Sequence, residues 1–169
     1  MNWYTTTVDS PCGPLICVVD DDGAVVRIEF GHGRESQKMT DKTPAPGIEV
    51  REDADHTAEV RRQLEEYFAG RRQEFDLPLA PRGTPFELSV WEELRRIPFG
   101  ETRSYADVAR ALGKPAATRA VGRANGANPI PIVVPCHRVI GSNGSLTGYR
   151  WGVSIKKTLL EKERSRKNV

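Results

Sequence analysis

The most reactive combination in this 169-residue sequence is a cysteine followed directly by a histidine and an arginine. Cys136, His137 and Arg138 come after the apolar run 130–134, which we expect to form a buried strand. Positive neighbours lower the pKa of a thiol and raise the fraction of nucleophilic thiolate. Adjacent side chains on a strand point to opposite faces, so His137 can act on Cys136 only where the backbone turns or a water molecule bridges them. The alternative is an inert, buried cysteine.

A histidine that acts as a base needs a partner that orients it, and Glu163 is a candidate. In the helix predicted from Ser154 to Glu163, Ile155 and Leu159 define the apolar face, and Glu163 lies four residues beyond Leu159 on that face. A carboxylate on a core-facing stripe requires a partner, because burying an unpaired charge is very costly. The alternative is a frayed helix end at which Glu163 pairs with Lys167.

Three short segments of the first half alternate between apolar and polar residues. They are Tyr4–Val8, Leu15–Val19 and Val25–Phe30, and the last two are separated by three aspartates and a glycine. This pattern predicts an antiparallel sheet. Residues 31–56 are polar and contain many turn formers, so we expect a long loop or a weakly structured connection there. Apolar residues at helical spacing predict a helix over residues 57–70.

The second half is predicted to be mostly helical. The segments Thr84–Glu87 and Ser104–Asp107 each match a capping box, in which the first and fourth residues cap a helix N-terminus reciprocally. A further helix is expected from about Ala116 to Gly126, after a turn that contains glycine. Two short helices around such a turn form a helix-turn-helix. The whole pattern predicts an α+β protein.

A linker-like stretch at residues 77–83 divides the chain into two predicted domains, residues 1–81 and residues 82–169. The first holds nine Lys and Arg against 16 Asp and Glu, whereas the second holds 16 Lys and Arg against seven Asp and Glu. A segregated positive surface is what binding to a polyanion requires. A chance asymmetry on a solvated surface is the alternative.

The second helix of the predicted pair has few long polar side chains. Arg119 and Arg123 are its only long side chains, and most of the others are small. Small residues let a backbone approach closely, which fits a helix in the minor groove of DNA better than one that reads bases in the major groove. The alternative is that these residues only permit tight packing inside the domain.

The composition argues against several classes of protein. The chain has 38% hydrophobic residues and no apolar run near the roughly 20 residues that a membrane helix needs. Its N-terminus does not resemble a signal peptide, so we expect a cytoplasmic location and no membrane partner. Three cysteines suit a reducing compartment rather than a disulfide framework. Metal binding at Cys12, Cys17, His32 and His56 would match no regular zinc pattern, and we predict none.

Longer motifs surround the reactive cysteine. Asn128 to Gly141 reads NPIPIVVPCHRVIG, and Gly148-Tyr149 follows soon after. Residues 97–105 read IPFGETRSY, and residues 119–122 read RAVG. From about Gly83 to Glu163 the sequence resembles the O6-alkylguanine-DNA alkyltransferases, also called methylated-DNA–protein-cysteine methyltransferases. The first 80 residues have only a loose similarity to that family.

The resemblance implies a mechanism without a cofactor. Cys136 corresponds to the alkyl acceptor, His137 to the base that works through a water molecule, and Glu163 to the carboxylate that orients the histidine. Asn128 corresponds to the hinge between helix and active-site strand. The alkyl group would pass irreversibly from O6-alkylguanine, and also from O4-alkylthymine, to Cys136, so that each molecule acts once.

The resemblance also implies the partner, double-stranded DNA with an alkylated guanine that is flipped out of the duplex and bound through the minor groove. Tyr105 would crowd the 3′ phosphate, and Arg119 would enter the stack where the guanine was. The expected DNA-binding residues are Tyr105, Thr118, Arg119, Ala120, Gly122 and Arg123, and the expected pocket residues are Pro131, Val139, Tyr149, Arg150 and Trp151. We expect a monomer, with cooperative loading on DNA left open.

The sequence departs from the commoner family pattern after Tyr149. Many members have two small residues there, whereas this chain has Arg150-Trp151-Gly152, as does a bacterial subgroup related to the adaptive-response protein. Trp151 at the pocket rim should narrow the pocket, so we predict poor reaction with bulky substituents such as benzyl.

Two other functional classes remain as alternatives. A Cys-His hydrolase would need an oxyanion hole and would turn over many times. A helix-turn-helix regulator without chemistry would leave the segment from Pro135 to Arg138 unexplained. The match of Ser154 to Lys157 to the Ser-x-x-Lys pattern of penicillin-recognising enzymes lacks its companion motifs.

Overall fold

A computed structural model describes residues 1–31, 46–146 and 148–167 of the chain. It divides into two compact units, Met1–Pro81 and Arg82–Val169. The predicted α+β class is confirmed: the first unit is built around a sheet and the second is mainly helical.

The sheet of the first unit has four strands: β1 (Asn2–Val8), β2 (Leu15–Val19), β3 (Val25–Phe30) and β4 (Glu49–Glu52). Their order is β3-β2-β1-β4, in which β1, β2 and β3 pair antiparallel as predicted.

Strand β4 corrects the prediction, because it pairs parallel to β1 and makes the sheet mixed. It lies in the stretch 31–56 that was expected to be a loop. All four residues of β4, Glu-Val-Arg-Glu, are exposed at the sheet edge. The alternation of apolar and polar residues there, from Ile48 to Arg51, is too short to predict a strand by itself. Residues 32–45 of that stretch lie outside the described residues.

Helix α1 (Ala58–Phe68) packs on this sheet and buries Val60, Leu64, Tyr67 and Phe68. Gly70, with a φ of 80°, follows its end, in the conformation that favours glycine after a helix. The stretch expected to be a linker is partly fixed to the sheet, since Val25 donates to the carbonyl of Pro78 and accepts from the N–H of Ala80, both at 2.8 Å. Leu77 is buried, which explains why this stretch is held in place.

The second unit contains helices α2 (Pro85–Leu94), α3 (Tyr105–Ala111), α4 (Thr118–Gly126) and α5 (Val153–Lys167) and the parallel strands β5 (Arg103–Ser104) and β6 (Val139–Ile140). Both predicted capping boxes are present, at the N-termini of α2 and α3. A 3₁₀ turn, Pro115–Ala117, precedes α4, so the predicted third helix begins as a 3₁₀ turn.

Helices α2, α3 and α4 contact one another, and a short connection joins α3 to α4. The helix-turn-helix stays a prediction. Trp91 of α2 ties the group together, because its indole N–H donates to the carbonyl of Ala124 at 2.8 Å inside the core. Among the described helices, none is both long and apolar enough to cross a membrane. The cytoplasmic location stays a prediction.

Candidate active site around Cys136

The segment that carries Cys136 is not a strand, which corrects the expectation for residues 130–134. These residues form consecutive turns, and Cys136–Arg138 form a 3₁₀ turn. Pro131 interrupts the apolar run, and Ile132 has a φ of 75°, which lies outside the range of strand residues. The backbone therefore turns at the cysteine, and Cys136 and His137 need not point to opposite faces.

The side chain of Glu163, on α5, joins the histidine and the arginine of this turn. Its carboxylate accepts hydrogen bonds from Nε and Nη2 of Arg138 at 2.8 Å and 3.0 Å, and its Oε2 lies 2.8 Å from Nε2 of His137. His137 is fully buried and Glu163 is 1% exposed. Glu163 therefore belongs to a buried charge network rather than to a frayed helix end.

The charge state of this network follows from its contacts. Burial by itself would raise the pKa of the Glu163 carboxyl, but the hydrogen bonds and charges of His137 and Arg138 outweigh burial and hold that pKa well below its usual range. Burial lowers the pKa of His137, against the opposing effect of Glu163. The network at neutral pH is therefore an ionised carboxylate, a guanidinium and a neutral imidazole.

The thiol of Cys136 behaves differently from what its sequence neighbours suggest. Burial raises its pKa, and hydrogen bonds from Asn128 and Tyr149 and the charge of Lys156 offset this only in part. Arg138 was expected to lower the pKa, but its guanidinium is bound to Glu163 and to the carbonyl of Ile97 at 2.7 Å. The resting form of Cys136 is therefore the thiol, and reaction requires a base.

Two asparagines fix the backbone around the cysteine. Nδ2 of Asn128 donates to the carbonyl of Val134 at 2.8 Å, and its Oδ1 accepts from the N–H of Ile130 at 3.0 Å. Nδ2 of Asn125, in α4, donates to the carbonyl of Cys136 at 3.4 Å. These bonds connect α4 and the residues that follow it to the Cys136 segment, which is where a hinge residue would have to lie.

The cavity next to Cys136 is small, with a volume of about 10 Å³. A cavity of this size holds at most about one water molecule, so a purine enters only after the walls move. Tyr149, Arg150 and Trp151 are among its lining residues, whereas Pro131 and Val139 are buried without lining it. A larger groove of about 410 Å³ elsewhere in the unit contains none of the predicted site residues.

The predicted DNA-binding residues lie on α4 and at the start of α3. Arg119 and Arg123 are exposed, and Thr118, Ala120 and Gly122 are partly exposed. Tyr105 lies against α4, since a Cβ built on Gly122 would be 3.9 Å from the Tyr105 ring. The structure therefore brings Tyr105 and the small-residue face of α4 together.

Lys156 is a residue of the site that the sequence interpretation missed. Its side chain is fully buried, its Nζ lies 5.9 Å from the centroid of the Tyr105 ring, and its charge acts on Cys136. Burial lowers its pKa, against the opposing effect of Cys136. The available signal was its spacing of seven residues from Glu163, which places both on one face of α5.

Cys12, Cys17, His32 and His56 were expected to bind no metal, and that expectation stays a prediction. Over residues 1–31, 46–146 and 148–167, the structure has no group of three or more His, Cys, Asp or Glu side chains that could hold a metal ion. None of the three cysteines, Cys12, Cys17 and Cys136, is in a disulfide. His32, one of the four groups considered as ligands, lies outside the described residues.

Comparison with known proteins identifies the family. The family model "6-O-methylguanine DNA methyltransferase, ribonuclease-like domain" matches residues 3–81, and "6-O-methylguanine DNA methyltransferase, DNA binding domain" matches residues 85–165. The chain belongs to the 6-O-methylguanine DNA methyltransferase family. The predicted resemblance is therefore confirmed, and it extends over the first 80 residues as well.

Individual members of the 6-O-methylguanine DNA methyltransferase family are similar over nearly their whole length. A methylated-DNA–protein-cysteine methyltransferase of Methanosarcina acetivorans is 46% identical, over 96% of this chain and 99% of its own. A constitutive one from Bacillus subtilis is 45% identical, over 97% of this chain and 96% of its own. The crystal structure of Mycobacterium tuberculosis OGT in complex with DNA, at 42% identity, superposes with a TM-score of 0.83 over 98% of this chain and 94% of that one.

Proposed function

We propose that this protein repairs alkylated DNA by moving an alkyl group from O6 of guanine to Sγ of its own Cys136. The observation that carries the proposal is the buried turn Cys136–Arg138, in which His137 directly follows the cysteine and is paired with an ionised Glu163. This turn lies in the unit that matches the DNA-binding domain of the family. Relatives at 45–46% identity bear the name methylated-DNA–protein-cysteine methyltransferase.

The charge network supports His137 as the base. Because Glu163 is ionised, Nε2 of His137 carries the proton that the carboxylate accepts, which leaves the lone pair on Nδ1. Nδ1 is buried and has no hydrogen-bond partner among the described residues. We infer that Nδ1 receives the proton of Cys136 through a water molecule.

Arg138 determines where this proton stays. Its two hydrogen bonds to Glu163 hold the carboxylate in the ionised form, so Glu163 is a poor proton acceptor. The proton from the thiol therefore remains on His137 as an imidazolium, stabilised by the neighbouring carboxylate.

Alkyl transfer then follows as a displacement at carbon. The Cys136 thiolate attacks the alkyl carbon, the bond from that carbon to O6 breaks, and its electron pair stays on the guanine. The guanine anion takes a proton from the solvent on release, and His137 later returns its extra proton to the solvent. The product is a thioether, which no thiol exchange reverses. Each protein molecule therefore reacts once, and the alkylated protein is the end product.

The DNA must present the base outside the duplex. O6 of a stacked, paired guanine is out of reach of a cysteine with 4% exposure, so the nucleotide has to be flipped, at a cost of a few kcal/mol. We propose that α4 enters the minor groove and that exposed Arg119 fills the space left in the stack. Tyr105, at the junction of α3 and α4, holds the extruded nucleotide by its 3′ phosphate.

The pocket rim sets the range of substrates. Trp151 is buried beside the cavity, and the Arg150 guanidinium lies 5.4 Å from the centroid of its ring. We propose that this pair moves to admit a methylated guanine or O4-methylthymine, and that it leaves too little space for a benzyl group. Residues 1–81 support the reactive unit, and the protein acts as a monomer.

A titration of product against protein tests the proposed reaction. A fixed amount of protein is incubated with excess duplex DNA containing O6-methylguanine, and the guanine restored in the DNA is measured by chromatography. We expect a plateau at one repaired base per protein molecule. Repeated turnover would support a hydrolase, and binding without any repaired base would support a regulator; either result contradicts the proposal.

A further inference from the structure

Ile132 has a backbone conformation that its side chain disfavours. Its φ of 75° is the only positive value at a residue other than glycine in the described part of the chain. A β-branched residue in the left-handed region is a genuine outlier, since its Cβ crowds the backbone there. Such conformations persist only where the surroundings determine them strongly, and they concentrate at functional sites.

The conformation closes a very tight turn. The N–H of Val133 donates to the carbonyl of Pro131 at 2.9 Å, so the turn spans three residues with Ile132 at its centre. With a positive φ at the centre, this is the rare and strained form of the three-residue turn. The next hydrogen bond, from Val134 to the carbonyl of Ile130 at 3.0 Å, encloses the same residues.

A second three-residue turn connects this loop to the reactive cysteine. The N–H of Cys136 donates to the carbonyl of Val134 at 2.8 Å, around Pro135 with φ −80° and ψ 65°. The carbonyl of Val134 therefore accepts from both Cys136 and Asn128. A change at Ile132 that displaces Val134 therefore also breaks the hydrogen bond from the N–H of Cys136 to the carbonyl of Val134.

Burial of the Ile132 side chain also maintains the turn. It is 1% exposed, so it cannot leave the core without a loss of apolar burial. Asn128 binds both ends of the loop, at the N–H of Ile130 and at the carbonyl of Val134. Burial of Ile132 and the two bonds of Asn128 together maintain the strained turn.

We propose that Ile132 is a positioning residue for Cys136: its left-handed turn fixes the reactive cysteine before DNA binds. The proposal rests on the proposed function in one respect, because the rate of methyl transfer is its readout. A preorganised nucleophile matters because a misplacement of about 1 Å can cost on the order of a hundredfold in rate.

Three substitutions separate the turn from simple packing. Ile132→Val keeps the branched, buried side chain, whereas Ile132→Ala and Ile132→Gly both remove it. Glycine adopts a positive φ without strain and alanine does not, so we expect the order Val, Gly, Ala in both stability and rate. If Ile132 only filled space, stability and rate would fall in the order Val, Ala, Gly, because alanine retains more buried surface than glycine and glycine has the more flexible backbone.

The experiment is single-turnover methyl transfer at increasing concentrations of duplex DNA containing O6-methylguanine, together with denaturant unfolding of each variant. We expect Ile132→Gly to react about three- to tenfold faster than Ile132→Ala at saturating DNA. The DNA concentration at half-saturation should stay within about twofold of wild type, since positioning affects the transfer step and not DNA affinity.

Ile130 is the matched control, because it is equally buried and has no positive φ. For Ile130, alanine should be more stable than glycine. The proposal would be overturned if alanine were also more stable than glycine at Ile132, or if the variants lost only DNA affinity and not transfer rate.

If the truncated variants do not fold, solution NMR of the wild-type protein tests the turn by measuring the sign of φ at Ile132. Absence of transfer by wild type would reject the proposed function, whereas the stability order would still test the turn.

Discussion

Replacing Glu163 by glutamine removes the charge of this buried carboxylate and nearly preserves its size. The carboxylate accepts two hydrogen bonds from Arg138, one from His137 and a longer one, at 3.4 Å, from the N–H of Gly100, in an environment with 1% exposure. An amide supplies one oxygen and one NH₂ group, so it cannot accept all of them. Its NH₂ group would also favour the tautomer of His137 with the proton on Nδ1, which removes the lone pair that the mechanism uses.

Both stability and rate should respond. Leaving the Arg138 guanidinium buried without its counter-charge costs about 3–5 kcal/mol of unfolding free energy. Losing the base should slow methyl transfer on the order of 10²- to 10⁴-fold, which is the range that general base catalysis contributes. The two effects are separable because the rate is measured on the folded fraction.

The assay is single-turnover methyl transfer at saturating DNA, with urea unfolding of the same samples. Glu161→Gln is the matched control, since Glu161 is on the same helix but exposed, and it should behave as wild type. A Glu163→Gln protein that is folded and transfers methyl groups within about threefold of the wild-type rate would refute the role given to this carboxylate.

The same variant has a pH signature. A carboxyl whose pKa is depressed on folding stabilises the protein above its unfolded pKa, about 4.3, and loses this contribution as the pH falls towards the folded value. The stability difference between wild type and Glu163→Gln should therefore be largest near neutral pH and should shrink below about pH 4.3. A difference that is constant from pH 7 to pH 3 would contradict the ionised state assigned to Glu163.

Three further predictions concern single residues. At pH 7 a small thiol reagent should label half-buried Cys12 well before Cys17, because burial raises the pKa of Cys17 to about 12; equal labelling in peptide mapping would contradict this. Trp151→Gly should raise the rate with O6-benzylguanine at least about tenfold relative to O6-methylguanine, and an unchanged ratio would show that the rim does not limit size. Arg119→Ala should slow repair of duplex DNA on the order of a hundredfold while sparing the free base O6-methylguanine, whereas Arg119→Lys should recover part of the loss.

Local signals in the sequence were sufficient to predict where helices α2 and α3 begin. Thr84 and Glu87, and likewise Ser104 and Asp107, satisfy each other within four residues, so no tertiary contact is needed to form the caps. Strand β4 depends instead on pairing with β1, to which its exposed residues contribute little apolar surface. The short alternation from Ile48 to Arg51 does not identify that pairing.

For the segment before Cys136, the local sequence pattern predicted the wrong structure. The apolar run before Cys136 satisfies the pattern of a buried strand, but the bonds of Asn128 and the turn at Ile132 fold it into a loop. Sequence neighbours also misled the expectation for the thiol, because Arg138 faces Glu163 and the charge that acts on Cys136 comes from Lys156, twenty residues later. Burial and side-chain direction, which decide both points, belong to the tertiary structure.

The most direct test of alkyl transfer to Cys136 is the mass of the intact protein after reaction with an oligonucleotide that carries O6-methylguanine, followed by peptide mapping. We predict the addition of a single methyl group, located on Cys136, and no addition to a folded Cys136→Ser protein. Methylation at Cys12 or Cys17, or repair of the DNA without a change in protein mass, would contradict it.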